Sequence, residues 1–206
     1  MLEGGVPMKL MLDLFSGLGG ASEAFVQSPD WEVIRIDNNE LLADVPFTIM
    51  GDLTKQHPTR MKPDLIWASP PCTDFSLAYS APRAVAAREG REFEPDLAPL
   101  MAAIEIINSL QPRYWVIENV VGASKIFSEK IGISHRQKVG PFMLWGNFPL
   151  LELDDFRHKK DKNPDGSSKD RHSSDPLRAN VRGMVPIEIS QALLEAVETP
   201  TLEDFA

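Results

Sequence analysis

Short apolar runs alternate with glycine- and proline-containing turns along this chain of 206 residues. Runs of four to seven apolar residues bounded by turn residues are typical of buried strands. They predict five strands and a possible sixth at 142–145. The five are Lys9–Phe15, Trp31–Ile36, Pro46–Met50, Leu65–Ala68 and Tyr114–Ile117.

Apolar residues at helical spacing predict three helices between and after these strands. They cover Ala21–Gln27, Leu97–Leu110 and Ile187–Val197. Strands that alternate with helices form a mostly parallel sheet that carries helices on both faces. The pattern therefore predicts an α/β, Rossmann-like fold.

The composition narrows the choice of partners and compartment. The formal net charge is −9 and the sequence pI is about 4.9, which argues against a broadly basic surface for duplex binding. Lysine and arginine concentrate in 157–182, which we interpret as a polar loop with a local basic character. A single cysteine excludes an internal disulfide, and no apolar run reaches the ~20 residues of a membrane span. We expect a cytoplasmic protein.

The single cysteine lies at a stiff corner of the chain. Cys72 follows Pro70 and Pro71, which end the predicted strand Leu65–Ala68. Ligands of open α/β sheets bind at the carboxyl ends of strands, so this position suits a nucleophile. A small buried apolar residue, the role of most free cysteines, is an equal alternative from this segment alone.

The ends of the first three strands have a cofactor-binding character. A glycine-containing turn at 16–20 follows the first strand, Asp37 ends the second and Asp52 ends the third. Each feature alone also fits a solvated loop or a helix cap. Together they favour an adenosine-containing ligand, because glycines admit a ligand to the backbone and an acid holds its ribose. Glu118 and Asn119 are expected to end the fifth strand, where the carboxylate needs a partner or a raised pKa.

Three segments of the chain resemble motifs of the DNA cytosine-5 methyltransferases. The resemblance is carried in order by the segments 13–20 (DLFSGLGG), 70–72 (PPC) and 118–120 (ENV), and it returns weakly at 182–186 before the last helix. It implies a class I methyltransferase fold, S-adenosylmethionine as cofactor with S-adenosylhomocysteine as product, and no metal. The domains expected are a flexible extension at 1–8, a catalytic domain at 9–150, a polar basic loop at 151–182 and a terminal helix at 183–206.

The resemblance also implies roles for individual residues. Cys72 attacks C6 of a cytosine flipped out of DNA, Glu118 contacts N3, and Arg136 orients the base. The cofactor-binding set is Phe15, Ser16, Gly17, Gly19, Asp37, Asn38, Asp52, Leu53 and Pro70. The substrate-binding set is Ser76, Arg83, Asn119 and Lys138. The loop after Cys72 carries Arg83, Arg88 and Arg91, which we expect to face phosphates.

The match weakens in the second half of the chain. The family has an arginine-bearing Q-x-R-x-R motif, and here 134–141 replaces it with only Arg136 and Lys138 as candidates. Only 150–181 occupies the place where larger relatives carry a recognition domain, as in small phage-encoded forms. Methylation of C5 of cytosine in DNA, duplex or single-stranded and with short or relaxed specificity, is the leading hypothesis. The same chemistry on RNA or a free cytosine nucleotide, and an inactive binding protein, are the alternatives. The oligomeric state and the target sequence are left open.

Overall fold

A computed structural model describes residues 8–153, 156 and 174–199. Its strands are β1 (Lys9–Leu14), β2 (Trp31–Asp37), β3 (Thr48–Met50), β4 (Leu65–Ala68), β5 (Tyr114–Val120), β6 (Gln137–Val139) and β7 (Phe142–Asn147). Its α-helices are α1 (Glu23–Val26), α2 (Pro82–Arg88), α3 (Ala98–Leu110), α4 (Ser124–Ile131), α5 (Arg178–Gly183) and α6 (Ile187–Glu198).

The described strands form one sheet in the order β3-β2-β1-β4-β5-β7-β6. The first five strands of this order pair in parallel, whereas β7 runs antiparallel to both β5 and β6. The predicted Rossmann-like, mostly parallel sheet is confirmed. Parallel pairing brings the carboxyl ends of β1, β2, β4 and β5 to one edge.

The two faces of the sheet carry separate apolar clusters, as the alternation along each strand requires. Met11 of β1 lies in one cluster with Trp67 of β4, and α6 covers this face through Ile189 and Leu193. Leu12 and Leu14 lie in the other cluster, which includes residues of α3 and α4. The helices on both faces therefore clamp the central strands and fix the edge where the strand ends meet.

Most boundaries agree with the sequence pattern, and β4 coincides with the predicted strand. The predicted helix Ala21–Gln27 is instead a 3₁₀ turn, Gly20–Ser22, followed by the short α1. Residues 178–182, which the sequence analysis assigns to a polar loop, form most of α5. Residues 1–7 of the extension predicted at 1–8 and most of the loop predicted at 151–182 lie outside the described residues.

Within the part of the chain that the structure describes, every helix is too short or too polar to cross a membrane.

Candidate active site

The corner that carries Cys72 is held by hydrogen bonds on both sides of the two prolines. Before them, the indole Nε1 of Trp67 donates to Ser69 Oγ at 2.8 Å. The Pro70 carbonyl accepts from the Asn119 side-chain amide at 2.9 Å. After them, the Cys72 carbonyl accepts from the backbone amides of Phe75 and Ser76, which closes a tight turn. The thiol is therefore placed on a braced loop directly beyond β4.

Glu118 and Asn119 lie inside a strand, not after one. The prediction that they end the fifth strand is wrong, because β5 continues to Val120 and pairs Glu118 with Leu144 and Asn119 with Met143 of β7. The antiparallel partner, which begins 22 residues later in the chain, extends the ladder past the end of the parallel pairing. Both side chains are buried, Glu118 at 7% exposure and Asn119 at 1%. Their backbone positions are consequently rigid.

The structure brings Cys72 and Glu118 into electrostatic contact. Burial raises the pKa of Glu118 to about 7, and a hydrogen bond from Ser69 opposes part of that rise. The pKa of the Cys72 thiol is also raised, first by burial and then by the negative charge of Glu118. The two groups form a coupled pair in which ionisation of one disfavours ionisation of the other.

The turn after β1 presents backbone and hydroxyl groups at the same edge. Phe15 and Gly17 both have φ of +55°, and the Gly17 amide donates to Asp37 Oδ2 at 2.8 Å. The other oxygen of Asp37 accepts from the Asn39 amide at 2.9 Å. Ser16 Oγ is buried and lacks a hydrogen-bond partner among the described residues. A buried hydroxyl of this kind needs a hydrogen-bond partner, which water or a polar ligand can supply.

Gly19 faces a buried arginine beneath the turn. It has φ of +78°, and a Cβ built on it would lie 2.3 Å from Arg35 Cζ. The guanidinium of Arg35 donates to the Gly19 carbonyl at 2.8 Å and to Glu23 Oε2 at 3.0 Å. Arg35 is only 2% exposed. Because Gly19 has no side chain, the Arg35 guanidinium can pack directly against the turn.

A second buried acid completes the network under the turn. Ser22 Oγ accepts from Arg35 Nε at 2.9 Å and donates to Asp13 Oδ2 at 2.6 Å. The other oxygen of Asp13 has no hydrogen-bond partner within the described part of the chain. Burial raises the pKa of Asp13 to about 7, although Ser22 and Arg35 oppose the rise. The hydrogen-bond network that supports the turn at 16–20 therefore includes an acid whose ionisation changes near pH 7.

The acid after β3 is engaged in its own turn. Asp52 accepts from the backbone amide and the hydroxyl of Thr54, and it pairs with Lys55 at 2.7 Å. These hydrogen bonds, with Lys55 the largest contributor, lower the pKa of Asp52 to about 2. Leu53 beside it is buried, whereas Asn38 after β2 is exposed. Both acids predicted to hold adenosine thus stand at neighbouring strand ends.

Helix α5 reaches this edge from the far end of the chain. Asn39 Nδ2 donates to Asn180 Oδ1 at 3.5 Å, and Asn180 Nδ2 would lie 3.7 Å from a Cβ on Gly17. The segment before α6 also meets the turn, because the Val185 carbonyl would lie 2.2 Å from a Cβ on Gly20. The resemblance at 182–186 therefore corresponds to a chain segment packed against the glycine turn.

The remaining substrate candidates surround the corner more loosely. Ser76 Oγ accepts from the Ala78 amide at 3.2 Å. The backbone amide of Arg136 donates to the carbonyl of Leu144 on β7, and Leu144 pairs with Glu118 on β5. Arg136 is therefore two strands from Glu118. Its guanidinium lies over the Phe148 ring at 5.7 Å. Lys138 is exposed on β6. By interstrand spacing, the Arg136 backbone lies on the order of 10 Å from that of Glu118.

The arginines predicted to face phosphates make contacts within the protein. Arg83 Nη1 donates to the Gly122 carbonyl at 3.4 Å, and Arg88 Nη1 donates to the Tyr79 carbonyl at 2.8 Å. Arg91 forms an ion pair with Glu89. All three side chains are exposed, so a phosphate group remains accessible to them.

Several residues of the site were missed by sequence reasoning. Ser69 and Trp67 lie directly before the two prolines, and Arg35 interrupts an apolar strand two residues before Asp37. A charged residue inside an alternating strand indicates a buried partner, so Arg35 was detectable. Asn180 offered no such signal, because it lies in a polar stretch where every residue fits a surface.

Comparison with known proteins identifies the family. The family model for C-5 cytosine-specific DNA methylases matches residues 10–131, more than half of the chain. This chain belongs to that family. The resemblance read from the three motifs is confirmed, and together with the strand order it identifies the class I methyltransferase fold.

Individual relatives support the same assignment over part of their length. The chain is 33% identical over 120 residues to "Probable DNA (cytosine-5)-methyltransferase" of Frog virus 3 (isolate Goorha), which covers 53% of this chain and 52% of that protein. It is 24% identical over 137 residues to "Type II methyltransferase M1.HphI" of Haemophilus parahaemolyticus, covering 59% and 34% of the two chains. The chain thus spans about half the length of the first curated relative and about a third of the second.

A solved structure is also similar. The methyltransferase EhMeth of Entamoeba histolytica aligns with a TM-score of 0.45 at 17% identity, over 62% of this chain and 43% of that one.

Proposed function

We propose that this chain methylates C5 of cytosine in DNA, with S-adenosylmethionine as the methyl donor. The observation that carries the proposal is the coupled pair of Cys72, on the loop after β4, and Glu118, on the adjacent strand β5, braced by the hydrogen bond between Asn119 and Pro70. A thiol and a protonated carboxyl group that share one site suit a ring that needs a nucleophile at one atom and a proton at another. C6 and N3 of cytosine are such a pair of atoms.

The turn after β1 fits the adenosyl donor. Among the residues that the structure describes, Ser16 Oγ is buried without a hydrogen-bond partner, and only Asn180 lies within 4 Å of a Cβ on Gly17. Asp37 has both oxygens in hydrogen bonds to backbone amides, which orients the carboxylate while leaving further lone pairs for ribose hydroxyls. Phe15, Ser16, Gly17, Asp37 and Asn180 are the residues we expect to hold this cofactor. The chemistry that it supplies is an electrophilic methyl group for C5.

The charge relation between the two catalytic groups gives an order to the proton movements. An ionised Glu118 opposes the thiolate, so the free protein keeps Cys72 as a thiol. A protonated Glu118 removes that opposition and also donates a hydrogen bond to N3. With a pKa of about 7, Glu118 holds this proton for much of the time at neutral pH. Base binding and thiol activation are thereby linked.

The bonds change in two stages around the cytosine ring. The thiol proton leaves to a solvent base as the sulfur bonds to C6. The C5=C6 π electrons shift to form C4=C5, the C4=N3 π electrons move onto N3, and N3 takes the Glu118 proton. C5 is then nucleophilic. After C5 gains the methyl group, its proton leaves to a base and C5=C6 re-forms with cleavage of the C6–S bond. The N3 proton returns to Glu118, and the Cys72 thiolate is regenerated.

Trapping on a fluorinated base tests the proposal. Fluorine at C5 cannot leave as a proton would, so the Cys72–C6 bond persists once the methyl group has been transferred. We expect a covalent adduct of the chain with 5-fluorocytosine DNA in the presence of S-adenosylmethionine, and none with Cys72→Ala. Parallel assays with labelled donor compare duplex DNA, single-stranded DNA, RNA and dCMP. Transfer only to RNA or dCMP would change the substrate, and no adduct on any of them would reject the proposal.

A further inference from the structure

Ser69 lies beside Glu118 on the same face of the sheet. The β4–β5 register ends with Ala68 opposite Ile117, so the next positions along the two strands are Ser69 and Glu118. The Ser69 amide donates to the Leu14 carbonyl at 3.0 Å, which keeps the chain paired with β1 beyond Ala68. Because side chains alternate between the two faces, those of Ser69 and Glu118 point the same way. A hydroxyl group and a buried carboxyl group are therefore direct neighbours at the carboxyl end of β4.

The Ser69 hydroxyl receives a hydrogen bond from Trp67, which fixes the direction of its own. Trp67 Nε1 donates to Ser69 Oγ at 2.8 Å, and the tryptophan side chain is fully buried. An indole nitrogen donates but does not accept, so the serine oxygen is the acceptor in this bond. The single hydroxyl proton of Ser69 is then left for its hydrogen bond to Glu118. The two bonds form a chain that runs in one direction, from Trp67 through Ser69 to Glu118.

This direction decides which oxygen of Glu118 accepts a hydrogen bond and which one carries a proton. A protonated carboxyl group has a carbonyl oxygen, which accepts, and a hydroxyl oxygen, which donates. The oxygen that receives the Ser69 hydrogen bond is therefore the carbonyl oxygen of protonated Glu118. The acid proton is then carried by the other oxygen.

We propose that Ser69 is a positioning residue for the proposed methylation: held by the Trp67 indole, its hydroxyl keeps one oxygen of Glu118 as an acceptor and leaves the acid proton on the other, from which N3 of cytosine receives it. The inference rests on the proposed function. In this step the Glu118 O–H bond breaks as the N3–H bond forms, and the bonding electron pair stays on the glutamate oxygen. Ser69 keeps its own proton and then donates to a carboxylate, which is the stronger hydrogen bond. The serine therefore favours the proton transfer as well as directing it.

The same contact between a tryptophan and a serine occurs at a second place, which supplies the control. Trp145 is also fully buried, and its Nε1 donates to Ser128 Oγ at 2.9 Å. Trp145 belongs to the apolar cluster on the other face of the sheet from Trp67. Ser128→Ala therefore deletes a hydroxyl that accepts from a buried indole, as Ser69→Ala does, but away from the candidate site.

The titration of Glu118 tests the hydrogen bond without donor or DNA. Glutamate labelled with ¹³C at Cδ is followed by NMR against pH, and the Glu118 signal is assigned by its absence from Glu118→Gln. Cys72, the titratable group coupled to Glu118, keeps its proton in this range because its own pKa is also raised.

The expected titration shift has a sign that a merely structural role would not give. The Ser69 hydrogen bond lowers the pKa of Glu118, so Ser69→Ala should raise the midpoint by about one to two pH units, the size of a hydrogen bond to a charged group. Loosened packing would instead admit water to the buried acid and lower the midpoint. Ser69→Thr, which keeps the hydroxyl, and Ser128→Ala should both titrate like the wild type. An unmoved or lowered midpoint in Ser69→Ala would overturn the proposal.

The carbonyl stretch of protonated Glu118 reports which oxygen the serine contacts. Infrared difference spectra across the Glu118 midpoint isolate this band, which must be missing from Glu118→Gln. A carbonyl oxygen that loses a hydrogen-bond donor has a stiffer C=O bond, so the band should move to higher frequency in Ser69→Ala but not in Ser69→Thr or Ser128→Ala. A band that stays in place in Ser69→Ala would mean that Ser69 does not contact the carbonyl oxygen, which would sink the proposal.

Two tryptophan variants test the part played by the indole. Trp67→Phe removes the N–H donor and keeps an aromatic ring, and Trp145→Phe is the matched control for the lost volume. The freed Ser69 hydroxyl can turn away from Glu118, so the midpoint should rise in Trp67→Phe, by less than in Ser69→Ala, and should not change in Trp145→Phe. Equal midpoints in the two tryptophan variants would show that the indole does not orient the hydroxyl, contrary to the proposal.

Adduct formation separates this proposal from the proposed function. On 5-fluorocytosine DNA with saturating donor, Ser69→Ala should react about 10-fold more slowly in a single turnover, a part of what general acid catalysis contributes, with unchanged DNA affinity. Ser69→Thr and Ser128→Ala should keep the wild-type rate. If the wild type forms no adduct, the methylation proposal fails, and the midpoint and the band still decide whether Ser69 directs the Glu118 proton. If the wild type reacts and Ser69→Ala reacts equally fast, methylation stands and the role of Ser69 fails.

Discussion

The side-chain amide of Asn119 donates to the Pro70 carbonyl at 2.9 Å, and this one bond joins the strand that carries Glu118 to the corner that carries Cys72. The β4–β5 ladder pairs residues only as far as Ala68 and Ile117. Beyond that point the Asn119 side chain continues the connection. The separation of Cys72 and Glu118 therefore depends in part on the Asn119 side chain, together with the hydrogen bond between Glu118 and Ser69.

Replacing Asn119 with alanine should reduce the rate of adduct formation by more than the loss of folding stability explains. The change leaves the buried Pro70 carbonyl without a donor, which costs about 1–3 kcal/mol of unfolding free energy. Adduct formation on 5-fluorocytosine DNA should fall by more than that loss of folded protein explains. Asn147→Ala is the matched control, because the Asn147 amide donates to the Arg113 carbonyl at the same 2.9 Å, at the opposite end of β5. Equal adduct rates for the two variants would contradict the role assigned to Asn119.

Replacing Glu118 with glutamine should make the thiol more acidic. The negative charge of Glu118 raises the pKa of Cys72, and the amide removes that charge at similar volume. Cys72 is the only cysteine, so the rate of iodoacetamide alkylation against pH reports its titration alone. The midpoint should move to lower pH in Glu118→Gln while adduct formation on DNA is lost. Glu105→Gln, on the exposed side of α3, should leave both unchanged, and an unmoved midpoint in Glu118→Gln would refute the coupling.

Stability should fall as the pH rises from about 4 to about 7. The folded pKa of Asp13 is raised to about 7, so the folded state binds a proton that the unfolded state has already released in this window. Asp13→Asn removes this titration, and its melting temperature relative to the wild type should be higher at pH 8 than at pH 5. The effect is at most about 4 kcal/mol, from about three pKa units at 1.36 kcal/mol each. Glu118 titrates in the same range, so Asp13→Asn should reduce the pH dependence without abolishing it. A relative melting temperature that is the same at both pH values would show that Asp13 ionises normally.

Replacing Gly19 with alanine should cost more than its backbone conformation alone requires. A left-handed alanine costs about 1–2 kcal/mol, and here the new methyl group also displaces the buried Arg35 guanidinium. Gly132→Ala is the control, because Gly132 has a similar φ of +85° with nothing within 4 Å of a Cβ. We expect Gly19→Ala to lose at least about 2 kcal/mol more in urea unfolding, as in other overpacked cores, and to bind S-adenosylhomocysteine more weakly by calorimetry. Equal losses for the two variants would mean that Arg35 does not support the turn.

The sequence pattern was sufficient for those elements whose residues alternate or repeat over their full length. β4 was predictable because a continuous apolar run ends before two prolines, and α3 because apolar residues recur at helical spacing up to Gln111. The three-residue β6 was not, since its pairing to β7 and not its own composition makes it a strand. The same partner extends β5 over Glu118 and Asn119, which the sequence pattern placed at the end of the strand.

The candidate site was predictable to the extent that its residues follow strands directly. Cys72, Asp37 and the glycine turn are placed by local sequence, and the structure brings them to one edge of the sheet. Asn180 is 141 residues from Asn39, and only tertiary packing unites them. Asp13 on β1 lies opposite Arg35 on β2, and the sequence alone does not specify this register.

The antiparallel pairing of β5 with β7 has a mechanical consequence. Glu118 sits within a continuous ladder, so its backbone is held in place as that of a loop residue would not be. In the proposed reaction, we therefore expect the backbone to adjust around the pyrimidine on the Cys72 side, because Cys72 lies on a loop beyond β4. The backbone of Glu118 is then the fixed reference, and the Cys72 loop is the part that moves relative to it.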